Sequence, residues 1–221
     1  MEKQFSEQES LELINQMINS AKNNLQKGMG NVFLLWGYLV AFTSMVNLVL
    51  LVTLPDRNSH YAYFIWYLMP VGLFFHYFLI GRIMKNSTVK TYVDKIMGYV
   101  WIAFTISVLV LVMAMIFATI MNSSGDQPNQ FEFMKWIHWI FMTPFMLILY
   151  GFALFVSGKA YQFKPLVIGA FICWTFTAAI FIMVRTGFFM EVQLVALFIS
   201  VVAGFIIPGH LLNKKEQSHV Q

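Results

Sequence analysis

The chain has 221 residues, of which 59% are apolar and only 11% charged, with a formal net charge of +4 and a mean hydropathy of +0.68. So few charges cannot cover a soluble domain of this size, and the long uncharged runs match the roughly 20 apolar residues that cross a hydrocarbon core. The single cysteine, Cys173, excludes an intrachain disulfide.

The first residues are polar and acidic (Glu2, Glu7, Glu9, Glu12), and the first apolar run starts near Val32, so the first span reads as a retained signal anchor rather than a cleaved leader. Residues 6–28 predict an amphipathic helix. Ser6 and Glu9 form an S-x-x-E capping box, and Leu11, Ile14, Met17, Ile18, Ala21 and Leu25 recur along one stripe. A helix lying on anionic lipid is usually rich in Lys and Arg, but here Lys3, Lys22 and Lys27 face four glutamates. Docking on a protein partner, on a second copy or on the chain's own cytoplasmic face suits it at least as well as lipid.

The fold class expected is an all-α membrane protein with six transmembrane helices, at about residues 31–54, 62–83, 98–121, 136–156, 165–184 and 192–212, arranged as three hairpins. Residues 1–30 form a cytoplasmic amphipathic segment, 31–212 the membrane domain and 213–221 a polar tail. Six spans put both termini on one side, and the positive-inside rule selects it. Only Arg57, Lys135 and Arg185 fall on the outer side; the other Lys and Arg, including Arg82, Lys85, Lys90 and Lys95 of the second loop, fall inside. The expected topology is N-in, C-in. Tyr61, Tyr63, Trp66 and Tyr67, with Trp136, His138 and Trp139, then make an outer aromatic belt. Met69-Pro70, Thr143-Pro144 and Pro208-Gly209 fall in the even spans, which hints at a parallel repeat whose spacings match only loosely.

No Asp, Glu, Lys or Arg lies mid-span, so candidate chemistry rests on few residues. His76 is the ionisable one, able to relay a proton, bind a ligand group or pair with His210. Its simpler reading is a hydrogen bond to a neighbouring helix, or a side chain that snorkels toward the headgroups. Pro70 would free a carbonyl and bend the second span. Asn47 reads as interhelical glue. Together Asn47, Pro70, His76 and His210 are the candidate lining of a polar cavity. Thr105, Ser107, Thr143, Thr175 and Thr177 are expected to bond their own helices, and Arg185 with Glu191 to pair at the interface. No catalytic motif, metal set or cofactor motif is readable, and the short basic loop Arg82–Lys95 does not point to nucleic acid.

At LLWGYLV (Leu34–Val40), TYVDKIMGYVW (Thr91–Trp101) and IIPGHLLNKK (Ile206–Lys215) the chain resembles a family of uncharacterised bacterial six-span membrane proteins. The resemblance implies a bacterial plasma (inner) membrane and transfers no site residues. Three functions compete. The first is a non-enzymatic membrane component that is a scaffold, sensor or accessory subunit, displaying the Ser6–Lys27 helix to a partner. The second is a small transporter or channel with its cavity near His76. A lipid-acting enzyme comes last, for want of a nucleophile and base.

Overall fold

The computed structural model describes residues 11–12, 28–86, 92–123, 137–183 and 189–218. Most of the expected N-terminal amphipathic helix, part of the basic loop, the loop from 124, Lys135, Trp136 and Arg185 lie outside the described residues. All regular elements among the described residues are helical, and six are long and apolar enough to cross a membrane.

The first span is α1, Met29–Thr53. Gly28 precedes it with φ 91, a left-handed conformation that side chains resist, and a Cβ there would meet Ile83 at 2.9 Å. Glycine therefore both starts α1 and seats it beside the end of the second span. That span begins as a 3₁₀ run, Asp56–Leu68, and continues as α2, Met69–Asn86. The change of pitch falls at Pro70. In an α-helix its ring would collide with the Trp66 carbonyl, and it has no N–H to give; that carbonyl instead accepts the Met69 N–H in a tighter turn. The expected bend at Pro70 is thus a change of helix type.

The third span, α3, runs Tyr92–Ser123 and so starts six residues before the expected Gly98. Asp94 in its first turn complements the helix dipole, and that turn does not need to be apolar because it lies beyond the expected span. A 3₁₀ turn, Ile137–Phe141, leads into α4, Met142–Ala160, and α5 follows at Lys164–Ile182 with Pro165 in its first turn. The sixth span comprises α6 (Phe189–Val201), a π turn (Val202–Ile206) and α7 (Ile207–Ser218). The helix passes Pro208 and runs on beyond the expected span end near Leu212, through the polar residues from 213 to Ser218. Pro208 cannot donate to Gly204 and would press on its carbonyl, and the widened turn, closed by Ile207 N–H to Val202 O, relieves both.

The packed core lies among α1, α4, α5 and the sixth span. Leu147, Leu154, Leu166, Ala170, Cys173 and Ile180 are all fully buried there. The most extensive contact is α4 against α5, and α1 runs along the whole sixth span. Close crossings depend on glycine. A Cβ on Gly169 would stand 2.5 Å from the Gly204 Cα, and one on Gly37 2.8 Å from Ile206 Cγ1. The π turn is therefore held from two sides, by α5 and by α1, as small residues permit in lipid. The second and third spans are peripheral: 6% of each apolar window is buried, against 33% to 44% for the other four. The second span leans on α1 and α3 on α4.

The α4–α5 turn closes by Phe163 N–H to Gly158 O (2.8 Å) and Gln162 N–H to Lys159 O (3.3 Å), with Gln162 left-handed at φ 52. This is a Schellman cap with glutamine in the place that favours glycine. Gln162→Gly is expected to raise stability by about 1 kcal/mol, read as a higher melting temperature in detergent, because the left-handed conformation costs a side chain roughly that much. An unchanged or lower melting temperature would count against this account of the turn.

Candidate functional site

The four residues expected to line a cavity can now be placed. Asn47 is fully buried on α1, and its Nδ2 donates to the Ala62 carbonyl in the 3₁₀ run. His76 is half-buried on α2, and its Nδ1 accepts a hydrogen bond from Trp36 Nε1 at 3.1 Å, with the rings 5.8 Å apart. Eleven residues separate Trp36 from Asn47, close to three whole turns, so both lie on one face of α1 about 16 Å apart. Between these two attachments Gly72 meets α1, where an added Cβ would approach Leu39 Cδ2 to 2.2 Å and Trp36 Cζ3 to 3.5 Å. The three contacts form one seam that ties the second span to α1.

A tryptophan N–H only donates, so the bond requires a bare Nδ1 on His76 and places the ring proton on Nε2. An imidazolium would set N–H against N–H. The interhelical reading of His76 and of Asn47 therefore has a direct geometric basis. His210 lies elsewhere. It is exposed on α7, with Nε2 2.8 Å from the Tyr38 hydroxyl. Tyr38 is two residues from Trp36, about 200° around α1, so His76 and His210 attach to opposite faces of that helix. Pro70 is exposed. The structure brings Asn47 and His76 to one seam and does not gather all four residues around a common space.

Trp36 and Tyr38, the partners that decide these roles, carry only a weak signal in the sequence, as polar-edged aromatics inside an apolar run. The expected self-bonding of Thr105, Ser107, Thr175 and Thr177 is present, each hydroxyl donating to the carbonyl four residues earlier at 2.8–2.9 Å. Trp139, expected at an interface, donates to Thr119 Oγ1 at 2.9 Å and so joins the α4 entry to α3. An aromatic cluster fills the region where α3, α1, α4 and the π turn meet. Trp101 stands edge-on to Phe33, Tyr150 edge-on to Phe205, and Phe104 stacks on Tyr150 at 5.4 Å. Among the described residues no three His, Cys, Asp or Glu side chains are grouped to hold a metal ion.

Outside the spans, Tyr161 of the α4–α5 turn is near Asp94 of α3. Burial first, and then the Asp94 carboxylate, hold the Tyr161 phenol above its ordinary value of 10.0. The phenol stays protonated.

Two outcomes are expected. His76→Phe and Trp36→Phe should each lower stability by about 1 kcal/mol, and the double variant by little more than one alone, because both remove the same bond; strict additivity in denaturant titrations would refute the pairing. Because the folded pKa of Tyr161 exceeds its unfolded one, its contribution is complete below about pH 10 and is lost as pH rises beyond that value. Tyr161→Phe should flatten the alkaline decline in stability without changing the acid side; an unchanged alkaline limb would contradict this.

No protein-family profile matches the chain, and neither a curated relative nor a solved structure similar to it was found. On its own architecture, with six apolar helices of membrane-crossing length, the chain is a multi-pass α-helical membrane protein.

Proposed function

We propose that this protein is a non-enzymatic membrane component, acting as a scaffold, sensor or accessory subunit, that presents its N-terminal segment to a protein partner or to a second copy of itself. The observation that supports this reading best is how the deep polar groups are used. Trp36, Asn47, His76, Thr119 and Trp139 each take part in a hydrogen bond that joins one span to another. A transporter needs polar groups converging on a shared path, and Asn47 and His76 stand on the opposite side of α1 from His210. The second span and α3 meanwhile turn most of their apolar surface outward.

The distribution of Lys and Arg supports a topology with both termini in the cytoplasm, and the contacts between consecutive spans suit three hairpins. The resemblance to bacterial six-span proteins supports a place in the plasma membrane.

Removal of residues 1–27 should release the co-purifying partner or change the oligomeric state while leaving the membrane domain folded. If both the partners and the oligomeric state were unchanged, the reading would fail. For the topology, single cysteines are placed at Asn58 and Gln217 in a Cys173→Ser background. A membrane-impermeant maleimide added to intact cells should label position 58 and spare position 217; the reverse pattern would invert the orientation.

A further inference from the structure

His76 has a second nitrogen. With Nδ1 accepting from Trp36, the ring carries its proton on Nε2, and no described residue takes that proton. Nε2 is also not among the buried unpartnered polar atoms, so it opens on the surface of the bundle. The imidazole geometry directs this N–H away from α1, which is the helix the second span packs on. His76 precedes Ile83, the last residue of the apolar span, by seven residues, or about 10 Å along the helix. The N–H thus reaches the bundle's surface within an apolar span, a depth at which water is scarce and an unmatched donor is costly.

The geometry points to a binding site at His76 for a neutral, carbonyl-bearing apolar molecule, whose oxygen accepts the Nε2 proton. Charge selects the acceptor. His76 is neutral, Trp36 is a donor, and no cation lies mid-span to hold an anion at this depth. Leu73 and Ile80, one turn before and after His76, supply apolar walls. Tyr77 stands edge-on to the imidazole at 6.4 Å, adding an aromatic flank. The Trp36 bond fixes both the ring's orientation and its tautomer, so the donor is set before a ligand arrives. Two molecules carry this chemistry: a lipid-soluble quinone, and a phospholipid, whose ester carbonyl would have to descend to this depth.

The test uses the full chain with ¹⁵N-labelled histidine in lipid nanodiscs, reading the His76 Nε2 resonance. Ether-linked phospholipid, which lacks ester carbonyls, is compared with ester-linked phospholipid, and a short-tailed benzoquinone is then titrated into the ether-linked discs. A saturable shift on adding the quinone identifies a quinone-type ligand, and a difference between the two lipids before quinone identifies the phospholipid carbonyl. Either result supports the site. No difference between lipids together with no saturable quinone shift overturns it. Trp36→Phe, which frees the ring to exchange tautomers, is expected to weaken quinone binding by about tenfold, the scale of one hydrogen bond. His76→Phe, which has no resonance of its own to read, should abolish saturable retention of the quinone by the nanodiscs, measured as quinone bound per disc against empty discs. The wild-type measurement decides the proposal even if either variant fails to fold.

Discussion

Inside a bilayer each backbone N–H and C=O must find its partner within the protein, and this constraint bears hardest on Pro70 and Pro208. Each lacks a donor, and each would press its ring on the carbonyl four residues earlier. The chain resolves the two cases in opposite ways. Ahead of Pro70 the backbone winds tighter into a 3₁₀ run, and ahead of Pro208 it widens into a π turn. The remaining architecture is arranged around these two changes. The tight run sets the height at which Ala62 meets Asn47, and the wide turn pushes Gly204 and Phe205 toward α5 and α1.

Glycine and aromatic packing then complete the core. Gly169 and Gly37 allow two helices to reach the π turn at backbone distance, and Phe205 is turned into a cluster with Tyr150, Phe33 and Trp101. Without a hydrophobic driving force between helices in lipid, such close packing and a few interhelical hydrogen bonds are what holds spans together. The second span illustrates the economy. It buries little, yet Asn47, Gly72 and His76 hold it to α1 at three heights. His76 contributes one nitrogen, Nδ1, to this seam.

Much of the fold was legible before any coordinates. Long uncharged runs report spans because hydrophobicity is a property of residues one at a time, and turn residues such as Pro55, Pro165 and Gly28 act locally. Span ends were less legible. Asp94 and Lys95 look like loop in a hydropathy reading, but α3 includes them, because helix formation does not stop where the apolar stretch does. The same holds for Asn213, Lys214 and Lys215 in α7. The prolines were visible as interruptions, though not the sign of the response, which depends on what the neighbouring helices can accommodate.

The sequence by itself determined the class, the number of spans and the small set of polar residues at depth, since each follows from local composition and helical periodicity. Only the tertiary structure decided what those residues do. Trp36 and Tyr38 are two positions apart, yet one meets His76 and the other His210. Which face of α1 meets which span is set by helix packing across the whole chain, with partners 40 and 172 residues away. Packing seams the second span to α1 through His76 and rests α3 on α4, because hydrogen bonds and glycine contacts, unlike hydropathy, exist only between residues brought together by the fold.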